Sequence, residues 1–527
     1  MVMSFQSDFL YPDVIPHHAR FSGGRTAVIH GNRTLTWSQL ELRTRKVANA
    51  LFDAGLKKGD KVCLYMRNSL AAFELFWGVI RSGGVVVALN TMVSPDALTV
   101  LVNNSDGRWL FTDSHGAPMV EDIASDLTGI TLESIYSDVP HETFGLIEDF
   151  VSAGSEDPVD VRIDPEDTLN IVYSSGSTGI PKGIEQSHLS RHNYTFGTGH
   201  YFGFDADSVT ILATALYANG TWQTMGPTMF RGGCIVLMDK FDALGFITEV
   251  ERCRCTHVFL VPTQTVAILA HPEIAQHDMS SLRIIVSAGQ PLAPATFEEV
   301  QVKLPHVELW EGYGMSEGFG TIVGPPDYAK GKQGSVGKGM FLDDIRIIDP
   351  NTGTELPQGE IGEICGYSMG LMKGYYKDPE RTRETVWTGP RGRTYLRSGD
   401  LGRLDEDGYL YICGRAKDMI KSGGINVFPA DIEAVFTAHP AVQEVAALGI
   451  FHEKWMETPL LFAILRKDGN ATAPELKAWG NERLSKYQRV SEVVIVDDLP
   501  RANYGKVDKV GLKQLARQHG FRLPFDS

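Results

Sequence analysis

Basic charge, cysteine and long apolar runs are all scarce in this 527-residue chain, and each shortage narrows what it can be. Lys and Arg number 49 against 65 Asp and Glu, which leaves a net charge of −16. A nucleic-acid surface needs the opposite excess to neutralise phosphates, so no nucleic-acid partner is expected. A small phosphate-bearing molecule is not excluded, because converging backbone N–H groups, a lysine and a divalent cation bind an anion whatever the net charge. The six cysteines (Cys63, Cys234, Cys253, Cys255, Cys365, Cys413) include one C-x-C and no C-x-x-C. That excludes a zinc ribbon and a thioredoxin motif, and fits a cytoplasmic location where free thiols pack as small hydrophobes. No run approaches the roughly 18 apolar residues that span a bilayer, so no transmembrane segment is expected. The N-terminal stretch MVMSFQSDFLYPDVIPHH lacks the basic region and unbroken apolar core of a signal peptide. His17 and His18 have no ligand-spaced partner and read as surface.

What is present is ordinary soluble composition, 43% hydrophobic and 22% charged, in a chain too long for one core. Thr26–Ile29 reads as a strand, Ser38 with Glu41 as a capping box opening a helix through Leu51, and Lys61–Met66 as a strand. Phe73–Ile80 is apolar enough for a buried helix, and Ser94–Pro95 marks another helix start. The alternation returns with strands at Asn170–Tyr173 and Ile284–Val286. Strands alternating with helices predict parallel sheets whose ligands gather at the strands' C-terminal ends. From about Gly334 the pattern turns strand-rich (Ile345–Ile348, Ile361–Cys365, Tyr409–Ile412), then a smaller α/β segment follows Arg415, with a helix at Pro429–Ala438 and strands at Val445–Leu448 and Val493–Val496. The expected fold is therefore α/β: a large N-terminal domain of parallel-sheet subdomains plus a small β subdomain, and a small α/β C-terminal domain.

The strongest local signal is Tyr173-Ser174-Ser175-Gly176-Ser177-Thr178-Gly179-Ile180-Pro181-Lys182-Gly183. Small residues let backbone amides converge on an anion, hydroxyls add donors, and the lysine adds charge. It is not a Walker A loop, because Pro181 stands where that motif needs glycine. The loop closely resembles the signature of the adenylate-forming superfamily, which embraces acyl- and aryl-CoA synthetases, luciferases and adenylation domains. Further segments resemble that family's motifs in matching order: Ser287-Ala288-Gly289-Gln290-Pro291, Trp310-Glu311-Gly312-Tyr313-Gly314-Met315-Ser316-Glu317, Tyr395-Leu396-Arg397-Ser398-Gly399-Asp400, Gly414-Arg415-Ala416-Lys417-Asp418 and Leu499-Pro500-Arg501-Ala502-Asn503-Tyr504-Gly505-Lys506. Taken singly, Tyr313, Glu317, Asp400 and Lys417 would pass for ordinary core or surface residues. Their order along nearly the whole chain sets them apart.

The resemblance implies an AMP-forming acid–thiol ligase that uses ATP, Mg²⁺ and coenzyme A to activate a small carboxylic acid. It implies phosphate contacts from Ser174, Ser175, Gly176, Ser177, Thr178 and Lys182, an adenine pocket from Gly289, Gln290, Pro291 and Tyr313, and further ATP or AMP contacts from Glu311 and Gly312. Ser316 would meet the α-phosphate, Glu317 the metal, and Asp400 and Arg415 the ribose. Lys506 would be the catalytic lysine, acting beside Thr178 and Glu317, and Lys417 the hinge between an N-terminal domain (1–415) and a mobile C-terminal domain (416–527). Gly423 and Gly424 would line the CoA tunnel, and Tyr217, Ala218, Thr221, Phe319 and Ile322 the acyl pocket. Ala218 departs from many relatives, which carry histidine about there, and Tyr504 stands where the family commonly has a small residue. The acyl segment has no aspartate to pair an α-ammonium group, so the expected acid is aromatic or a short-to-medium-chain fatty acid, not an amino acid. Loading of a carrier protein's phosphopantetheine and a luciferase-like oxygenase are the rival activities, and the oxygenase is opposed by a terminal Pro-Phe-Asp-Ser that is no peroxisomal signal. Either a monomer or a homodimer suits such an enzyme.

Overall fold

The computed structural model describes residues 9–174, 182–423, 425–466, 469–501 and 507–524. Two compact units emerge: Met1–Gln333 with Gly337–Asp344 and Tyr367–Leu396, and Gly334–Val336 with Ile345–Gly366 and Arg397–Ser527.

In the first unit, among the described residues, one sheet has nine strands and another eight. The nine-stranded sheet has a parallel centre of Glu308–Gly314, Ile284–Ala288, His257–Leu260, Val209–Leu212, Cys234–Leu237 and Thr26–His30, with antiparallel strands at both edges. The eight-stranded sheet is parallel from Gly145–Leu146 to Thr168–Ser174 and turns antiparallel at Lys182–Ser187 and Gly374–Tyr375. Val28, Leu212 and Ile235 of the nine-stranded sheet share a core with Val62, Val86 and Phe111 of the eight-stranded one. Helix Leu70–Arg81 packs into that core with every residue from Ala72 to Arg81 buried and both of its charges paired: Glu74 meets Arg43 and Arg81 meets Glu41. A helix apolar on all sides belongs between layers, as its sequence predicts. Gly78 lets it approach helix Trp37–Asp53, since a Cβ there would lie 2.4 Å from Val47.

Two expectations need correction. The capping box is Thr36 with Gln39, not Ser38 with Glu41: the preceding strand ends at Thr36, whose Oγ1 accepts from Gln39 N at 3.2 Å while Gln39 Oε1 accepts from Thr36 N at 2.8 Å. Glu41 is buried instead and receives Arg45 and Arg81. His18 is half-buried, not surface: its ring packs 4.7 Å from Trp37 and Nε2 donates to the Phe230 carbonyl at 3.1 Å.

The second unit carries most of strands Gly362–Tyr367 and Thr394–Leu404, all of Leu410–Arg415, and a five-stranded sheet built on the hairpin Val442–His452 and Met456–Leu465. Along Met456–Leu465 the period of two sends Leu461 and Ala463 to one core with Ile432, Phe436 and Leu476, and Leu460 and Phe462 to another with Leu499, Leu512 and Ala516. Both faces are thus covered by helices, Pro429–Thr437 and Ala473–Arg483 on one and Lys509–Gln518 on the other. All six cysteines are free, and burial pushes the Cys63 thiol up to about 12. Among the described residues no helix is long and apolar enough to cross a membrane.

Candidate active site

Strand Thr168–Ser174 pairs antiparallel with Lys182–Ser187, so Ser174 and Lys182 face each other across the mouth of a connection. Ser175, Gly176, Ser177 and Thr178 belong to that connection, which lies outside the described residues. Ile184, two residues past Lys182, pairs with Tyr375. The Tyr375 ring has the Lys182 ammonium 5.4 Å from its centre, and its hydroxyl donates to Glu317 Oε1 at 2.7 Å. Glu317 is only 8% exposed, and Met372 N donates to its carbonyl at 2.8 Å. The neighbouring Ser316 carbonyl accepts from Gln186 Nε2 at 2.6 Å. Lys182, Ser316 and Glu317, remote in sequence, are therefore gathered around one strand end. Burial and the Glu317 charge raise the Tyr375 phenol, which keeps it a donor at neutral pH.

Beside them run the parallel strands Ile284–Ala288 and Glu308–Gly314, with Ser287 opposite Glu311 and Ala288 opposite Gly312. Gly289 turns the chain at the strand's C-terminal end with φ +93°, a left-handed conformation that glycine takes without strain, and is followed by a half-buried Gln290 and an exposed Pro291. Glu311 accepts the Tyr328 hydroxyl at 2.9 Å, and burial raises its pKa. Tyr313 is half-exposed with its ring 6.4 Å from Phe319. A Cβ added to Gly312 would find its nearest neighbours at 3.6 to 3.8 Å, an ordinary contact, so packing within the protein does not demand a glycine there.

The acyl segment leaves strand Val209–Leu212 and is held from several sides. Asn68 receives Leu216 N at 2.9 Å and donates to the Thr214 carbonyl at 3.0 Å. Thr221, fully buried, bonds Thr214 Oγ1 at 2.8 Å and the Ala215 carbonyl at 2.7 Å, so it shapes the loop from beneath. Ala218 is 2% exposed and Tyr217 half-buried, its phenol pushed up to about 12 by burial. Gly220 lies flat on Phe259, whose ring would be 2.4 Å from a Cβ. Phe319 is buried, and Ile322 packs in a cluster with Phe202, Phe259 and Trp310.

In the second unit Asp400 and Arg415 are register partners and form an ion pair at 3.0 Å. Asp400 is supported by Ser398 Oγ, which accepts from its N–H at 3.0 Å. Lys417 sits in the turn Ala416–Asp418, its pKa lowered by burial and by the nearby charges of Arg415 and Lys513. Gly423 (φ +58°) donates to the Trp455 carbonyl at 2.8 Å and lies so close to the indole that a Cβ would stand 2.5 Å from it. Gly424 and Lys506 lie outside the described residues.

The model for the AMP-binding enzyme family matches residues 15–376, well over half of the chain. The chain belongs to the AMP-binding enzymes. The model for the AMP-binding enzyme C-terminal domain matches residues 431–506. A feruloyl-CoA synthase from Amycolatopsis sp is 32% identical over 497 residues, 93% of this chain and 96% of that protein. 4-Coumarate–CoA ligase 2 of Petroselinum crispum is 30% identical over 502 residues, 93% and 91% of the two chains. Among solved structures, the anthranilate CoA ligase AuaEII in complex with anthranoyl-AMP superposes with a TM-score of 0.88 at 26% identity, covering 98% of this chain and 99% of that one. This AMP-binding enzyme is an adenylate-forming acid–thiol ligase of the acyl- and aryl-CoA branch.

Reading motifs along the sequence missed several groups of this AMP-binding enzyme. Tyr375 was invisible because its partner Glu317 is 58 residues away. Asn68 was more remote still, 146 residues from Thr214 in the loop it clamps. Trp455 and Tyr487 meet edge to face at 5.7 Å, with the Lys454 and Lys486 ammonium groups 5.1 and 5.5 Å from the indole. An indole flanked by lysines beside a glycine turn was the available signal.

Proposed function

We propose that this enzyme converts an aromatic carboxylic acid to its acyl-adenylate and passes the acyl group to coenzyme A. The observation that carries the choice of acid is that the curated relatives, each spanning over nine-tenths of the chain, are named for 4-coumarate or feruloyl, both aromatic. The solved anthranilate CoA ligase spans it too, although MatB and the amide bond synthetase McbA, matching as widely, are not named for an aromatic acid. A pyrophosphate-release screen over aryl and graded aliphatic acids, with and without CoA, tests it. Release with aliphatic acids alone would overturn the aromatic assignment.

In the first half-reaction the acid's carboxylate attacks the α-phosphorus of ATP and the bond to pyrophosphate breaks. In the second, a deprotonated thiol attacks the acyl carbon and AMP leaves. Neither step needs a covalent enzyme nucleophile, so the residues act by positioning and by opposing charge. Ser174 and Lys182 hold the polyphosphate with Ser175–Thr178, Tyr313 and Gly289–Pro291 receive the adenine, and Asp400, oriented by Arg415, accepts from the ribose hydroxyls. Lys506 belongs to a C-terminal domain, 416–527, that turns about Lys417 and brings Gly423 and Gly424 to the second half-reaction. The Glu317 carboxylate suits Mg²⁺: Tyr375 occupies one oxygen, and the other has no donor among the described residues. Mg²⁺ characteristically takes one or two carboxylates together with phosphate oxygens, and not a protein cage. When bound there with ATP, it neutralises polyphosphate charge.

Gly312 tests the nucleotide assignment. Gly312→Ala should fold as the wild type does, since its methyl meets only ordinary contacts. Its KM for ATP should rise about tenfold, the scale of overpacking a tight contact by one methyl. An unchanged KM for ATP would remove Gly312 from the nucleotide site.

Trp455 and Tyr487, with Lys454 and Lys486, suit the nucleotide end of CoA: an aromatic face for a base and cations for phosphates. Trp455→Ala is expected to raise the KM for CoA about tenfold or more, because base stacking contributes about 1–3 kcal/mol. ATP–pyrophosphate exchange, which needs no CoA, should persist. A carrier protein offers a phosphopantetheine with no adenine, so an enzyme that loads carriers would leave the Trp455 variant's thiol step unaffected.

A further inference from the structure

Arg191 projects from helix His188–Gly199 and is 2% exposed. Its Nε donates to Asn170 Oδ1 at 3.0 Å, on the strand that ends at Ser174, and its Nη1 donates to Asn219 Oδ1 at 2.7 Å, in the acyl segment. The guanidinium lies 4.7 Å from the centre of the Trp222 ring, which closes the same segment. Nη2 has no acceptor, and no carboxylate forms an ion pair with Arg191, among the described residues. Burial lowers its pKa to about 10, so it remains a cation at neutral pH.

A buried cation without a counterion is costly, and an apolar side chain would fill the same space without that cost. Its planar fork does something an apolar chain cannot: it bonds two amide oxygens in a fixed relative direction. One oxygen belongs to the strand that carries the polyphosphate, the other to the loop that receives the acid. With Asn68 gripping the start of the loop, Arg191 grips its far end.

We propose that Arg191 is a positioning residue for the acid, joining Asn170 to Asn219 so that the acyl loop keeps its distance from the phosphate strand. The assignment rests on the ligase reading above. The test measures pyrophosphate release with acid and ATP varied separately, for wild type, Arg191→Lys, Asn219→Ala and the double variant. Lysine keeps the charge but is not a fork. Each single variant should raise the KM for the acid about tenfold, the scale of one hydrogen bond to a charged group. The KM for ATP should stay within about twofold, and the double variant should be no worse than the worse single one, because both substitutions cut the same link. A matching rise in the KM for ATP, multiplied effects in the double variant, or single variants equal to wild type would each overturn the proposal. Should Arg191→Lys fail to fold, Asn219→Ala decides alone: an unchanged KM for the acid overturns it, and a raised one with ATP unaffected upholds it. Wild-type enzyme that releases no pyrophosphate with any acid would instead sink the ligase reading itself.

Discussion

Lys506→Ala is expected to lower acid-dependent pyrophosphate release at least ~10²-fold while leaving the conversion of supplied acyl-adenylate to thioester largely intact. Attack of a carboxylate on the α-phosphorus brings two anions together, and negative charge accumulates on the non-bridging oxygens in the transition state. A cation placed against both groups stabilises that state more than the separated reactants, and deleting one such donor typically costs about 2.7–4 kcal/mol. Thiol attack on the acyl carbon has a different charge distribution: the mixed anhydride is already activated and AMP is the leaving group. A lysine serving adenylation therefore has little to offer the second step. Lys506 is the last residue of the C-terminal family match, within the segment whose motif resembles the catalytic-lysine motif. The measurement pairs a pyrophosphate assay with a thioester assay started from synthetic acyl-adenylate and CoA. Equal loss in both would reject the division of labour, and loss of the thioester step alone would reverse it.

What could be read along the sequence was what repeats locally. The parallel strands ending in Ser174 and Ala288 are short apolar runs closed by small residues, and such runs announce both a buried strand and the ligand-facing end of it, whereas Glu308–Gly314, with Glu308 and Glu311 in it, showed only as a motif. Helix Leu70–Arg81 was legible because Phe73–Ile80 is apolar at all but Glu74, too long a run for a typical buried strand and well short of a membrane span. The helix cap was misread because Ser38–Glu41 and Thr36–Gln39 are both plausible boxes, and the choice depends on where the preceding strand stops pairing. Tyr375, Asn68 and Arg191 were not legible at all. Each works through long-range hydrogen bonds to other elements, one for Tyr375 and two each for Asn68 and Arg191, and a lone tyrosine, asparagine or arginine carries no periodicity. Motifs identify the groups that face a ligand. The groups that hold those groups still are set by the tertiary fold.

That distinction separates the effects expected at Glu317 and Tyr375. Glu317→Gln keeps the shape and an oxygen for the Tyr375 hydroxyl, so the fold should survive, but it removes the charge that suits a hard cation. Adenylation should fall at least ~10²-fold even at saturating Mg²⁺. Tyr375→Phe keeps the carboxylate and removes its donor, leaving a buried anion unsatisfied at a cost of about 1–3 kcal/mol. Its melting temperature should drop in the absence of ligand and recover with Mg²⁺ and ATP, because a cation on the carboxylate offsets the missing hydrogen bond and binding stabilises the folded state. Thermal scans with and without Mg²⁺ and ATP, beside a Mg²⁺ titration of pyrophosphate release, distinguish the two. If Glu317→Gln matched wild type at saturating Mg²⁺, the carboxylate would be structural, and Tyr375 would be serving the core and not the site. If Tyr375→Phe lost stability equally with and without ligand, the hydroxyl would be fixing the strand Gly374–Tyr375 and not aiming Glu317.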